Sequence, residues 1–348
     1  MDSVAPPAES VNADGKTISI RACPQLPSLD CLVDHVLTMK KRERTSYRYI
    51  LYCCQPCKAV ALPILLVSTW REQICEWAYS VVDHFDLSRE TVAVTLSLLD
   101  RFLAAQSQEG SFEEGTVSSS VVLLSAMACL QLAAKLNEPR RFRLDHFCKL
   151  SNGRFPPQLV EESERHILSV LDWKVNPPTA LDFTGHLLLF LLLESECGDS
   201  VHKIYEVARF VIELSVCDEY FVPVDTSLVA TAAILVATED IPATSALLPA
   251  QAKRSFFKTL SVTVQLNAND PQVQAVRLKL LEAYRDNTIC RNTEADISHS
   301  SFICGSPTSV MDRGASGEVT AVGEDLRQSE LDGPACRPNK RRFTSKDF

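Results

Sequence analysis

The sequence predicts an all-α protein of two tandem helical domains, each packed around a buried central helix, with disordered termini. Three observations carry this. Residues 120–139, SVVLLSAMACLQLAAKLNEP, are apolar on nearly every side and free of Gly and Pro before Pro139, as in a helix buried all round. Residues 225–238, DTSLVATAAILVAT, repeat that composition, with Ala230, Ala232 and Ala237 standing where Ala126, Ala128 and Ala133 stand in the first stretch. Around both, apolar residues recur at helical spacing. The expected organisation is a disordered extension over 1–28, a helical segment over 29–68, a first domain over 69–176, a second over 177–286 and a disordered tail over 287–348.

Residues 1–28 carry Pro, Ala, Ser and Asp without sustained periodicity. Over 32–51 apolar and basic residues mix, predicting one or two short helices on the surface. Thr69 and Glu72 form a capping-box pattern opening a helix whose inner face is Trp70, Ile74, Trp77, Ala78, Val81 and Phe85. Ser88 caps the next helix, with Val92, Leu96, Leu99 and Leu103 inward, which fades into a polar loop over 106–116. After the central helix, a short segment over 143–150 stops at Ser151, Asn152 and Gly153, and Pro156 and Pro157 open a helix reaching Leu171. Pro177 and Pro178 stiffen a connector whose Thr179 caps the first helix of the second domain. Helical stripes follow over 181–193 and through Ile204, Val207, Val211 and Leu214. Beyond the second central helix come a helix over 251–266 and one capped by Asp270, with Pro271 at its first position and Val273, Val276, Leu280 and Ala283 inward. Past Asp286 the periodicity ceases.

The chain of 348 residues is 46% hydrophobic and 23% charged, the balance of a soluble globular protein. Its net charge of -9, with no basic stripe in the folded part, argues against a direct role on nucleic acid. The first residues lack a secretory pattern and the apolar run 187–193 is too short to span a bilayer, so an intracellular, non-membrane protein is expected. Thirteen scattered cysteines fit reduced thiols. Cys53, Cys54 and Cys57 lack the second ligand pair of a structural zinc site, and no metal or cofactor is expected. Neither a Gly-rich phosphate loop nor a nucleophile motif is present, so the chain does not read as an enzyme. One position departs from its pattern: Glu164 shares a helix face with Val160, Ile167, Leu168 and Leu171. Either it pairs with a cation, for which Lys135 at the end of the central helix is the candidate, or it lies at the stripe's edge and reaches water.

At these residues the chain resembles a cyclin. Arg71, Asp100 within LLDRFL, Leu124, Lys135 and Glu164 match the cyclin-box signature in order and spacing. AAKLNEP, ERHILSVLDWKVNPPT and ELSVCDEYF are also similar to the family's phrases, and the likeness runs over roughly 30–284. The resemblance implies a regulatory subunit that binds and activates a cyclin-dependent protein kinase in cell-cycle control. Lys135 and Glu164 then hold backbone groups beside the kinase's mobile C helix, and Arg71, Asp100 and Leu124 serve the fold. The family's substrate-docking patch falls on Trp70, Gln73, Ile74 and Trp77, where the polar Gln73 departs from the pattern. Asp34-His-Val-Leu37 and Ser306-Pro-Thr-Ser-Val-Met-Asp312 resemble D-type cyclins, of G1 phase. The pocket-protein motif LxCxE is damaged at Leu29-Asp-Cys31-Leu-Val33, and Arg48-x-x-Leu51 matches only the core of a destruction box. Ser306-Pro307 is a minimal site for proline-directed phosphorylation, which could recruit a ubiquitin ligase, and kinase substrates are the other partners expected. The basic cluster over 337–342 predicts residence in nucleus as well as cytoplasm. The competing reading is a cyclin-fold transcription factor of the TFIIB kind, which calls for a zinc ribbon and a basic folded surface.

Overall fold

The computed structural model describes residues 27–47, 64–108, 119–139, 155–194 and 198–295, and every regular element among them is helical. A leading helix α1 (Leu29–Ser46) precedes the four described helices of the first domain, α2 (Ile64–His84), α3 (Glu90–Gln108), α4 (Ser119–Asn137) and α5 (Pro157–Val170). The second domain comprises α6 (Ala180–Glu194), α7 (Gly198–Cys217), α8 (Thr226–Leu235), α9 (Pro242–Ser245), α10 (Ala250–Thr263) and α11 (Pro271–Ala295). In the first domain α3 and α5 pack on α4, whose Ala126, Ala128, Cys129, Leu130 and Ala133 are wholly buried. Small side chains there let the neighbouring helices approach closely. By length and hydropathy α4 could cross a bilayer, but it is the core helix of this domain. In the second domain α8 takes the same place among α6, α7 and α11, with Ala230, Ala232, Ala233 and Ala237 wholly buried.

Several local signals act as expected. The Ser88 hydroxyl accepts from the Glu90 N–H, and Glu138 accepts from the Ser88 N–H and the Thr91 hydroxyl, fixing the start of α3. Thr179 and Asp182 exchange side-chain to backbone bonds at the start of α6, a reciprocal cap. Asp270 accepts from the Gln272 N–H at the start of α11.

Four expectations are corrected. The segment expected on the surface is α1, and its Leu32, Val36 and Met39 are buried in the second domain's core against α6. A helix carrying Lys40, Lys41 and Arg42 can lie there because its two buried charges are bonded internally. The Lys40 ammonium donates to the carbonyls of Val264 (2.7 Å) and Gln265 (3.1 Å). Glu43 accepts from the Ser227 N–H (2.8 Å), the Ser227 hydroxyl (2.7 Å) and the Thr226 hydroxyl (2.6 Å). The cap of α8 is therefore supplied by Glu43, while Asp225 at the N-cap position makes no side-chain cap bond. Helix α2 begins at Ile64, so Thr69 lies inside it and not at its N-cap position. The last helix runs past Asp286 to Ala295, with Asn287 buried. The α-helical winding of α8 stops at Leu235, and Val236–Asp240 continues as a π-helical turn. Arg277 from α11 clamps that turn with bonds to both carboxylate oxygens of Asp240 (2.7 and 2.8 Å), which offsets carboxylates at the negative end of a helix.

The domains meet where α2 and α3 contact α7. The Tyr79 hydroxyl donates to the Glu213 carbonyl (3.2 Å), and Arg89 pairs with the Glu213 carboxylate (2.8 Å). A cavity of about 380 Å³ lies along this seam, and Glu43, Glu90 and Glu213 are among its lining residues. Burial pushes the carboxyl of each of the three above its ordinary range. The readings placed on most of 1–28, on Arg48-x-x-Leu51, Cys53, Cys54 and Cys57, on the 109–116 loop, on 143–150, on Ser306 and on the basic tail cluster lie outside the described residues.

Candidate functional site

The last turn of α4 presents Lys135 beside Glu164 in the middle of α5, and these two helices pack on one another. The ammonium lies 2.7 and 2.6 Å from the two carboxylate oxygens of Glu164. Of the two readings open for Glu164, the paired one holds. Val160 and Ile167 on its face are wholly buried and Leu171 nearly so. Glu164 is thus fixed at the rim of the first core with 12% of its side chain exposed, while Lys135 covers it from the solvent side at 48%. Helices α4 and α5 also leave Val121, Leu136 and Leu159 exposed. The arrangement offers one donor and one acceptor at fixed separation on the surface of the first domain.

The second repeat differs at the corresponding place. In the register that pairs Ala126, Ala128 and Ala133 with Ala230, Ala232 and Ala237, the counterpart of Lys135 is Glu239, which is bound by Arg277 at 2.9 Å.

Arg71 and Asp100 are brought together inside the protein. The Arg71 guanidinium bonds the Asp100 carboxylate at 3.2–3.3 Å, with side chains only 9% and 4% exposed. Its remaining nitrogen donates to the carbonyls of Val216 (2.8 Å) and Cys217 (3.1 Å) at the C-terminal end of α7. Those carbonyls lack helical partners, so one cation serves a carboxylate of the first domain and the negative end of a second-domain helix. Leu124 is half-buried against the first core. Of the four docking-patch positions, Ile74 and Trp77 are buried, Trp70 is half-buried and Gln73 is exposed. The segment Leu29 to Val33 forms the first turns of α1, with Leu32 buried.

Lys40, Glu43, Arg89 and Glu213 are among the charged residues that take structural roles not expected from the sequence. A signal for Glu43 existed: it follows Leu32, Val36 and Met39 on one helical stripe, the same anomaly as Glu164.

The family model of the cyclin N-terminal domain matches residues 33–176, and that of the cyclin C-terminal domain matches 178–287. Cyclin-D3-3 of Arabidopsis thaliana is 29% identical over 119 residues, 34% of this chain and 31% of that protein. Cyclin-B2-2 of the same plant is 27% identical over 186 residues, 53% of this chain and 40% of that protein. The matched stretches thus span less than half of either relative. An X-ray structure of a viral cyclin from herpesvirus saimiri superposes with a TM-score of 0.53 at 19% identity, covering 71% of this chain and 97% of that one, a likeness of fold.

Proposed function

The chain belongs to the cyclin family, and from that premise we propose that it binds and activates a cyclin-dependent protein serine/threonine kinase. The observation that carries this is the Lys135–Glu164 pair. An exposed ion pair stabilises a fold by at most about 1 kcal/mol, so stability alone gives little reason for a carboxylate at the rim of a core. As a contact for another chain, the pair makes physical sense. Each charge holds the other in place while the protein is free, and docking redirects both to backbone groups beside the kinase's mobile helix with little further ordering. Moving that helix inward lets the kinase's own Lys–Glu pair form, so the cyclin shifts a conformational equilibrium and carries out no chemistry itself. At the corresponding place of the second repeat an acidic residue, Glu239, stands where Lys135 stands in the first, so the donor of this pair is not repeated there.

Within the family we propose a D-type, G1-phase role, supported by Asp34-His-Val-Leu37, by the 306–312 segment and by the similarity to Cyclin-D3-3. The cluster over 337–342 supports a nuclear as well as a cytoplasmic location.

The test uses purified Lys135→Ala and Glu164→Ala with the kinase that co-purifies from a native extract. Each variant is expected to lose about 2 kcal/mol or more of kinase affinity, roughly thirtyfold, with a parallel loss of phosphotransfer. Circular dichroism and melting temperature should stay near those of the parent. Folded variants that bind and activate fully would reject this surface as the kinase contact.

A further inference from the structure

We propose that Cys75 and Cys217 form a reversible disulfide on exposure to a hydroperoxide, a modification site that joins the two domains covalently. Their sulfurs lie 2.7 Å apart although the residues are 142 positions apart in sequence and belong to different domains. A disulfide bond is about 2.05 Å long, so closing it needs only a small side-chain shift. The backbones are already held in register. Arg71, one turn before Cys75 on α2, donates to the Cys217 carbonyl at 3.1 Å.

The two thiols differ in a way that assigns their roles. Cys217 ends α7 and is partly exposed, so it meets the peroxide, whereas Cys75 is wholly buried. The Cys217 sulfur attacks the peroxide oxygen, the O–O bond breaks, and the departing alkoxide takes the thiol proton, leaving a sulfenic acid and an alcohol, or water from hydrogen peroxide. Burial and the adjacent Cys217 hold the Cys75 proton tightly, so Cys75 is the less reactive thiol toward peroxide, and proximity to Cys217 rather than acidity makes it the resolving partner. Its sulfur then attacks the sulfenic sulfur, the S–O bond breaks, and hydroxide leaves with the Cys75 proton as water. Two thiols give up two electrons and two protons, and the peroxide takes both electrons. A dithiol reductant reverses the link by attack on the side of Cys217, the less buried of the two residues. Inside a cell such bonds are transient and regulatory rather than structural.

The experiment oxidises the pre-reduced full chain with hydrogen peroxide and maps non-reduced tryptic peptides by mass spectrometry, which separates this pair from the other thiols among the 13 cysteines. A Cys75–Cys217 peptide is expected that disappears with dithiothreitol and is absent from Cys217→Ser. The oxidised parent should melt about 5 °C or more above its reduced form, and the variant should not gain that shift. Recovery of Cys217 as thiol, as sulfinic acid or linked to another cysteine, with no Cys75–Cys217 peptide, would overturn the proposal.

Discussion

Asp100→Ala is expected to cost about 3–5 kcal/mol of stability, because it removes the carboxylate from a buried guanidinium and leaves the charge behind. Both side chains are almost fully inside, so solvent replaces the lost partner poorly. The damage extends beyond α2 and α3. The same guanidinium holds the Val216 and Cys217 carbonyls, so its displacement loosens the first domain's grip on α7. For a folded unit of this size the loss corresponds to a fall in melting temperature of about 10 °C. Urea unfolding followed by far-ultraviolet circular dichroism measures it directly. A variant with an unchanged midpoint would show that the pair contributes nothing to the fold. The contrast with Lys135→Ala is informative. Lys135 is half-exposed and covers Glu164 from the solvent side, so removing it opens the carboxylate left behind to water, which screens that charge.

The parts of this structure legible in the sequence are those encoded locally. The two Ala-rich helices announce their burial on every side, and Thr179, Asp270 and the two prolines at 156–157 mark helix starts by chemistry that acts within one turn. Glu164 was detectable because an acidic side chain interrupted a clean apolar stripe, and its partner Lys135 ended a neighbouring helix. Glu43 interrupts a comparable stripe, but the adjacent Lys40, Lys41 and Arg42 make α1 look like a solvated surface helix. What reverses that impression is distant in sequence: the carbonyls of 264 and 265 and the start of α8. A periodic pattern says which face of a helix is buried and is silent about what covers it. The Thr69 signal failed for a related reason. Thr-x-x-Glu acts as a capping box only where the chain before it is not helical, and here the helix begins at Ile64. The junction between the domains, with Arg71, Arg89, Glu213 and the two facing cysteines, is closed by such distant pairings.

Glu43→Ala is expected to cost about 2–4 kcal/mol, since it uncaps α8 and leaves the buried Ser227 N–H and hydroxyl without their acceptor. Glu43→Gln should cost about 1 kcal/mol or less, because the amide oxygen still accepts from Ser227 and Thr226 while the amide nitrogen can donate to the Ser227 hydroxyl. The isosteric variant also isolates the charge. Burial raises the Glu43 carboxyl above its ordinary value of 4.5 despite the bonds from Thr226 and Ser227 that pull it down. A raised carboxyl binds its proton more tightly in the folded protein than in the unfolded chain, so protonation favours folding. Its contribution is fully present below pH 4.5 and is lost as the pH rises through the raised folded value. Glu90 and Glu213, raised by burial as well, act in the same direction. Above pH 4.5 the unfolding free energy of Glu43→Gln should therefore fall less with rising pH than that of the parent. A urea series at half-unit pH steps reads the two slopes. Superimposable slopes would mean that Glu43 titrates alike in the folded and unfolded chain, and that burial under α8 leaves its charge unopposed.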